Sequence, residues 1–144
     1  AYRTAFANIG RRHPKNCSVH IGFNAIEAHK IYAGADFFLM PSYFEPCGLG
    51  QMISMRYGTI PIVRRTGGLA DTVIDCGEEP KKGNGFVFTG RFSGGLFQAI
   101  ERALEVFHDK KRLGSLQKTC MKRDSSWKHS AEQYKKLYRS LKSS

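Results

Sequence analysis

Two four-residue apolar runs, Phe37 to Met40 and Ile60 to Val63, flank a stretch whose apolar residues recur at helical spacing. The first reads as a short buried strand and the second as another strand. Between them a Pro and a polar turn lead into Glu45-Pro46-Cys47-Gly48. From Leu49 to Tyr57 the residues Leu49, Met52, Ile53 and Met55 or Arg56 follow a helical period, and Gly58 stands where a C-cap glycine would. The second run ends in Thr66-Gly67-Gly68-Leu69. Strand, acid-bearing turn, helix, strand and Gly turn make a βαβ unit whose two loops share one sheet edge. Open α/β sheets bind ligands at such an edge. A helix starting near Gly48 points free N–H groups past the strand end, which suits a phosphate. The lone carboxylate beside it must face something else, and a sugar hydroxyl is a sensible partner.

The remaining residues extend this pattern in both directions. Residues 2 to 12 carry helical spacing at Tyr2, Phe6 and Ile9, and the helix stops before Pro14. Ser18 to Phe23 alternates as a strand with Val19, Ile21 and Phe23 on one face. A helix over 25 to 33 follows, with Asn24 as its N-cap. After the Gly turn, Leu69 to Ile74 predicts a short helix, 77 to 84 a hydrophilic surface loop without chemistry, and Gly85 to Phe88 a strand. Ser93 to Phe107 predicts a helix with Phe97, Ile100, Leu104 and Phe107 on its buried face. Lys110 to Lys122 predicts another, carrying Leu113, Leu116 and Cys120. A final helix over about 130 to 142 has an apolar stripe at Ala131, Tyr134, Leu137, Tyr138 and Leu141. Strands alternating with helices predict an α/β fold: a parallel sheet of at least four strands, right-handed crossovers, and helices on both faces.

At 144 residues the chain suits one domain with a real core. No apolar run approaches the roughly 18 residues that a membrane helix needs. The chain opens at Ala1 directly into helical spacing, without an initiator Met or a signal-peptide pattern, so it is expected to start inside a larger protein. Cys17, Cys47, Cys76 and Cys120 lie far apart without a CxxC spacing, which disfavours zinc and a disulfide framework and favours reduced thiols. The five His residues (13, 20, 29, 108 and 129) form no metal-ligand pair. No metal site is expected. The net charge of +11 is uneven, because residues 101 to 144 carry 12 Lys and Arg against 5 Asp and Glu. Such a surface can serve nucleic acid. The aromatics there fall at core-like helical spacing and do not interleave with the cations, so a solvated helical face is favoured. A basic field also attracts an anionic nucleotide-sugar.

PSYFEPCGLGQM, followed by MRYGTIPIVRRTGGLADTV, resembles the signature of bacterial glycogen synthases and plant starch synthases. The likeness runs from about Cys17 to Tyr138, and the EPCGL and RTGGLADTV segments are specific to that family. The resemblance implies a retaining glucosyltransferase built of two facing Rossmann-like domains. Residues 1 to 144 would be the C-terminal, nucleotide-sugar-binding one, truncated on its N-terminal side and ending in the helix that follows Ser126-Trp127. It implies ADP-glucose as donor, the 4-hydroxyl end of an α-1,4-glucan as acceptor, no separate cofactor, and no membrane partner. It also implies a cytoplasmic location in a bacterium or a plastid location in a plant. The family's acceptor site, its catalytic-cleft His and Asp, its Lys-x-Gly-Gly-Leu loop and its diphosphate-neutralising Arg and Lys belong upstream of residue 1. The chain alone is therefore expected to be inactive.

Residue roles follow only where the motif matches. Glu45 matches the family carboxylate on the transferred glucose, where an anion steadies an oxocarbenium-like state; its alternative is a helix-start acid complementing the dipole. Gly48, Leu49 and Gly50 would offer backbone N–H groups to the diphosphate. Many members carry Thr in place of Gly50, so a hydroxyl contact there is lost or supplied by water. Ile53 stands where related enzymes carry a second Glu, so ribose recognition through that residue is absent. Thr66, Gly67 and Gly68 match a second Gly loop near the sugar and diphosphate, with a tight strand-to-helix turn nearly as good a reading. Phe23 falls where the family often stacks an aromatic on adenine, strand-end core packing being the equal alternative. Cys47 reads as a small packing residue near the sugar. A non-enzymatic, basic nucleotide- or nucleic-acid-binding module is the competing class.

Overall fold

The computed structural model describes residues 2–91 and 93–142, with His129 as backbone only. Among them, α1 (Tyr2–Arg12) and α2 (Ala25–Gly34) precede β1 (Phe37–Met40), α3 (Gly50–Arg56) and β2 (Ile60–Arg64). Next come α4 (Gly67–Thr72), β3 (Phe86–Phe88), α5 (Ser93–His108), α6 (Lys110–Lys122) and α7 (Trp127–Lys142). The strands form one parallel sheet in the order β1-β2-β3, with Phe37 beside Ile60 and Ile62 beside Phe86.

The expected strand over Ser18 to Phe23 is not formed. Its alternation is real, but a strand persists only through its ladder, and among the described residues no strand pairs with it. Ile21 and Phe23 stand 49% and 97% exposed. The sheet therefore has three described strands where at least four were expected. The neighbouring helix is as its sequence predicts: the Asn24 side chain accepts from Glu27 N–H at the start of α2.

β2 is the middle strand, and both of its faces are covered. Ile60 and Ile62 point with Phe86 and Phe88 into a core completed by Met55 of α3, Ala99, Ala103 and Val106 of α5, and Leu113, Leu116 and Cys120 of α6. Val63 and Val87 face the other way, against Leu69 of α4 and Val73. Helices thus lie on both faces. The buried stripe of α5 is only in part the expected one: Ile100 and Phe107 pack against the core, but Phe97 and Leu104 are 63% and 49% exposed, while Ala99 and Ala103 are buried. Small residues let the helix axis approach the sheet closely, which turns the larger side chains to the flank. Helix α7 starts at Trp127, where Asp124 accepts from Ser126 N–H and turns the chain. The apolar residues of α1 and α7, among them Tyr2, Phe6, Tyr138 and Leu141, are exposed. Among the described residues no helix is long and apolar enough to cross a membrane.

The four cysteines are free. Burial pushes the Cys76 thiol up to about 11 and the Cys120 thiol up to about 12, so both are neutral packing groups. The hydrophilic loop over 77 to 84 is pinned at both ends by polar residues that its composition does not mark. Asn84 is buried, accepting from Ile74 N–H and donating to Thr72 O. Asp75, 3% exposed, accepts from Gly77 N–H, from Val87 N–H, and from both Nη atoms of Arg102 on α5.

Burial alone would raise the Asp75 pKa, but the Arg102 hydrogen bonds, the Val87 and Gly77 amides and the Arg102 charge together lower it below the ordinary carboxylate value. A depressed folded-state pKa means stability that is fully present above the unfolded pKa, near 4, and is lost as the pH falls through the folded one. The denaturation midpoint should hold level above about pH 5 and fall below pH 4. Asp75→Asn should remove part of that acid dependence and cost about 3 kcal/mol at pH 7, as read by urea unfolding across pH.

Candidate functional site

In a parallel ladder, the loops that follow β1 and β2 leave the sheet at the same edge. Here their main chains touch. Gly68 N–H donates to Glu45 O at 3.0 Å. A Cβ on Gly67 would overlap the Glu45 carbonyl oxygen, and one on Gly68 would overlap that of Cys47. Gly67 also has φ 43°, so the absence of a side chain is required twice over. The Thr66-Gly67-Gly68 segment is thus both the tight turn expected from its sequence and a seam against the acid-bearing loop. Thr66 is the N-cap of α4 by backbone alone, its side chain making no capping bond.

Glu45 is half-buried, and Ser42 Oγ donates to its Oε2 at 3.3 Å. Gly48 is buried with φ 70°, and a Cβ there would stand 2.7 Å from Gln51 Oε1 and 3.1 Å from Glu45 Cγ. The glycine lets the chain reverse directly beside the carboxylate. Leu49, the N-cap of α3, is 62% exposed. The N–H groups of the first turn, from Gly50 onward, have no partner within the helix. A Cβ on Gly50 would lie 3.1 Å from the Phe38 ring and 3.2 Å from the Tyr32 hydroxyl. A phenolic hydroxyl therefore stands beside the position at which a threonine hydroxyl was expected to be missing. Ile53 lines a groove of about 780 Å³ with Leu49, Met52, Arg56, Met121 and Arg123; Glu45 and the glycines are not part of it.

Phe23 and Cys47 both stand at the surface. Phe23 is 97% exposed, which removes the strand-end core-packing reading. It lies in a shallow hollow with His20, Asn24 and Ile31, and among the described residues no ring stacks on it. Cys47 is exposed beside Gly48, and its carbonyl oxygen lies against Gly68.

Other residues of the site carry no mark in the sequence. Arg64, the last residue of β2, donates to Gly90 O and reaches Pro41 O at 3.5 Å. Its guanidinium lies 5.5 Å from the Tyr43 ring centroid and 5.4 Å from that of Phe88, while Arg91 stands 4.9 Å from Tyr43. Two cations therefore border the loop that carries Glu45. Gln51, fully buried, donates to Gly48 O and to Thr72 Oγ1. A Gln in the first turn of a helix reads as solvent-facing, and only the tertiary arrangement turns it inward.

A family model described as glycosyl transferases group 1 matches residues 10–118. The chain is 51% identical over 140 residues to a glycogen synthase of Bacillus cereus (strain Q1), which covers 97% of this chain and 29% of that protein. It is 50% identical over 142 residues to a glycogen synthase of Fervidobacterium nodosum, again covering 29% of it. The catalytic domain of starch synthase IV from Arabidopsis thaliana, solved with ADP and acarbose, superposes with a TM-score of 0.83 at 40% identity, over 94% of this chain and 29% of that one. The chain thus spans under a third of the length of the relatives it matches. The alternative of a non-enzymatic nucleotide- or nucleic-acid-binding module finds no support in these matches.

Because the contact at Gly68 is with main chain, no rotamer change can relieve an added methyl group. Gly68→Ala should cost about 3 kcal/mol, the upper end of what overpacking costs, and should lower the thermal midpoint well beyond Gly94→Ala, whose Cβ meets nothing within 4 Å. A Gly68→Ala protein with an unshifted midpoint would refute the seam.

Proposed function

The chain belongs to the group 1 glycosyl transferases, and on that footing we propose that it is the donor-binding part of a glycogen or starch synthase. Such an enzyme transfers glucose from ADP-glucose to the non-reducing end of an α-1,4-glucan with retention. The observation that carries this reading is the closed loop pair at the sheet edge, which holds a half-buried carboxylate next to a helix start that presents unpaired N–H groups. An anionic diphosphate suits the N–H groups, and the glucosyl ring suits the carboxylate.

The proposed chemistry follows from charge. As the bond from the sugar C1 to the diphosphate oxygen lengthens, positive charge grows on the ring and negative charge on the leaving oxygen. Glu45 opposes the first, held by Ser42 and by the seam beneath it. The N–H groups of the α3 start, with Arg64 and Arg91 nearby, oppose the second. The acceptor's 4-oxygen then bonds to C1 on the same face as the C1–O bond to the diphosphate breaks, and its hydroxyl proton passes to the departing diphosphate oxygen of ADP. The acceptor site and further diphosphate-neutralising cations belong, in this proposal, to the part of the relatives that the chain does not match. Phe23, in its open hollow, is the proposed adenine contact.

In the full-length enzyme, Glu45→Gln keeps size and hydrogen bonding and removes the anion. If Glu45 steadies the transition state, kcat should drop roughly 10²-fold with little change in KM. Near-normal turnover in a slightly less stable protein would leave Glu45 as a mere dipole complement. In a titration of the chain with ADP, amide shifts should centre on residues 45–50 and 66–68. Shifts confined to α6 and α7 would count against the site.

A further inference from the structure

Gln51 and Thr72 complete a hydrogen-bonded circuit through both loops of the site. Gln51 is 0% exposed, and its Nε2 donates to Gly48 O at 2.6 Å and to Thr72 Oγ1 at 3.0 Å. The Thr72 hydroxyl donates in turn to Gly68 O at 2.6 Å, and Gly68 N–H returns to Glu45 O at 3.0 Å. Gly68 is therefore held at both ends of its peptide groups, and the path from Glu45 through Gly48, Gln51, Thr72 and Gly68 closes on itself.

The polarity of this circuit is determined by its members. Thr72 has one hydroxyl proton, committed to Gly68 O, so its oxygen accepts. Gly48 O can only accept. Both partners of Gln51 thus demand a donor, and the two amide protons are used. The consequence is visible on the other side of the amide, where Oε1 is buried without a partner. An apolar side chain of the same length would fill the space and avoid that unmet acceptor. What it would lose is the pair of donated bonds, so the amide is there for its N–H groups.

We propose that Gln51, acting through Thr72, is the positioning residue that holds the two loops at one spacing and so sets Glu45 and the α3 amides against the donor. This rests on reading the loop pair as the donor site. Gln51 does not touch substrate. It works by keeping the Gly48 reversal, which abuts Glu45 Cγ, in register with Gly68.

The test uses the full-length enzyme and the variants Gln51→Met, Thr72→Val and Thr72→Ser. Amide hydrogen exchange at Gly68 reports the circuit without requiring turnover. In Gln51→Met, Gly68 exchange should speed up about tenfold or more while the Ile62 amide, inside the sheet, is unchanged. The kcat should fall about tenfold with the KM for the donor shifted less than threefold. Thr72→Val should act in the same direction, and Thr72→Ser, which keeps the hydroxyl, should recover most of the rate. The double variant Gln51→Met/Thr72→Val should be no worse than the poorer single one, because either change opens the same ring. Wild-type exchange at Gly68, an unchanged kcat, or losses that multiply in the double variant would each overturn the proposal. Should Gln51→Met fail to fold, half-buried Thr72 reads the same ring through Thr72→Val. Faster exchange combined with full activity in Glu45→Gln would sink the donor-site reading and not the circuit.

Discussion

The contact between two stretches of main chain, Gly67-Gly68 on one side and Glu45 to Cys47 on the other, is the constraint on which the site depends. Parallel strands deliver the two loops to the same edge, but the ladder alone leaves their separation free. The Gly68 N–H to Glu45 O bond sets it, and bare glycine backbone permits it. The carboxylate is therefore placed by peptide geometry before any side-chain packing acts on it. That is a rigid way to hold the main chain that carries it.

Beneath the seam, rigidity comes from β2. Residues Ile60 to Val63 are all buried, with apolar neighbours above and below, so the strand that ends at Arg64 cannot tilt without opening both cores. Polar residues are buried around it only where hydrogen bonds absorb them. Thr59 donates to Tyr32 O and lies against Ala35 O, tying the end of α2 to the start of β2. Asp75 binds β3 and α5 through Arg102. Among the described residues Gln51 Oε1 and Arg64 Nε are the exceptions, buried without a partner, and Gln51 sits where the two loops meet.

The strong positive charge divides by location. Many of the cations on α6 and α7 are exposed, and Lys135 pairs with Glu132 one turn away, as expected of a solvated face. Lys110 at the start of α6 lies over the Phe107 ring, and Arg64 and Arg91 lie over aromatic rings beside the loop that carries Glu45. The ring contacts and, for Arg64, the Gly90 carbonyl limit the freedom of these two guanidiniums.

Sequence alone determined the elements whose signal is local. The apolar runs of β1 and β2, the Asn24 cap, Gly58 at φ 84°, and the stripe of Leu113, Leu116 and Cys120 each follow from short-range periodicity or turn chemistry, and the EPCGL and RTGGL segments lie, as expected, in two loops at one edge of the sheet. What needed a partner was decided only by the tertiary structure. Ser18 to Phe23 alternates correctly yet lacks a described strand to pair with. The face of α5 was settled by the close approach of Ala99 and Ala103 to the sheet, which leaves Phe97 and Leu104 outside while Ile100 and Phe107 still pack on the core. Gly67 and Gly68 looked like a turn, and only the neighbouring loop shows why even a methyl group is excluded. Gln51 and Thr72, 21 residues apart, have no local pattern at all. Their bond exists because a parallel crossover brings the start of α3 beside the end of α4, and periodicity along one chain carries no information about which distant polar groups that crossover will bury against each other.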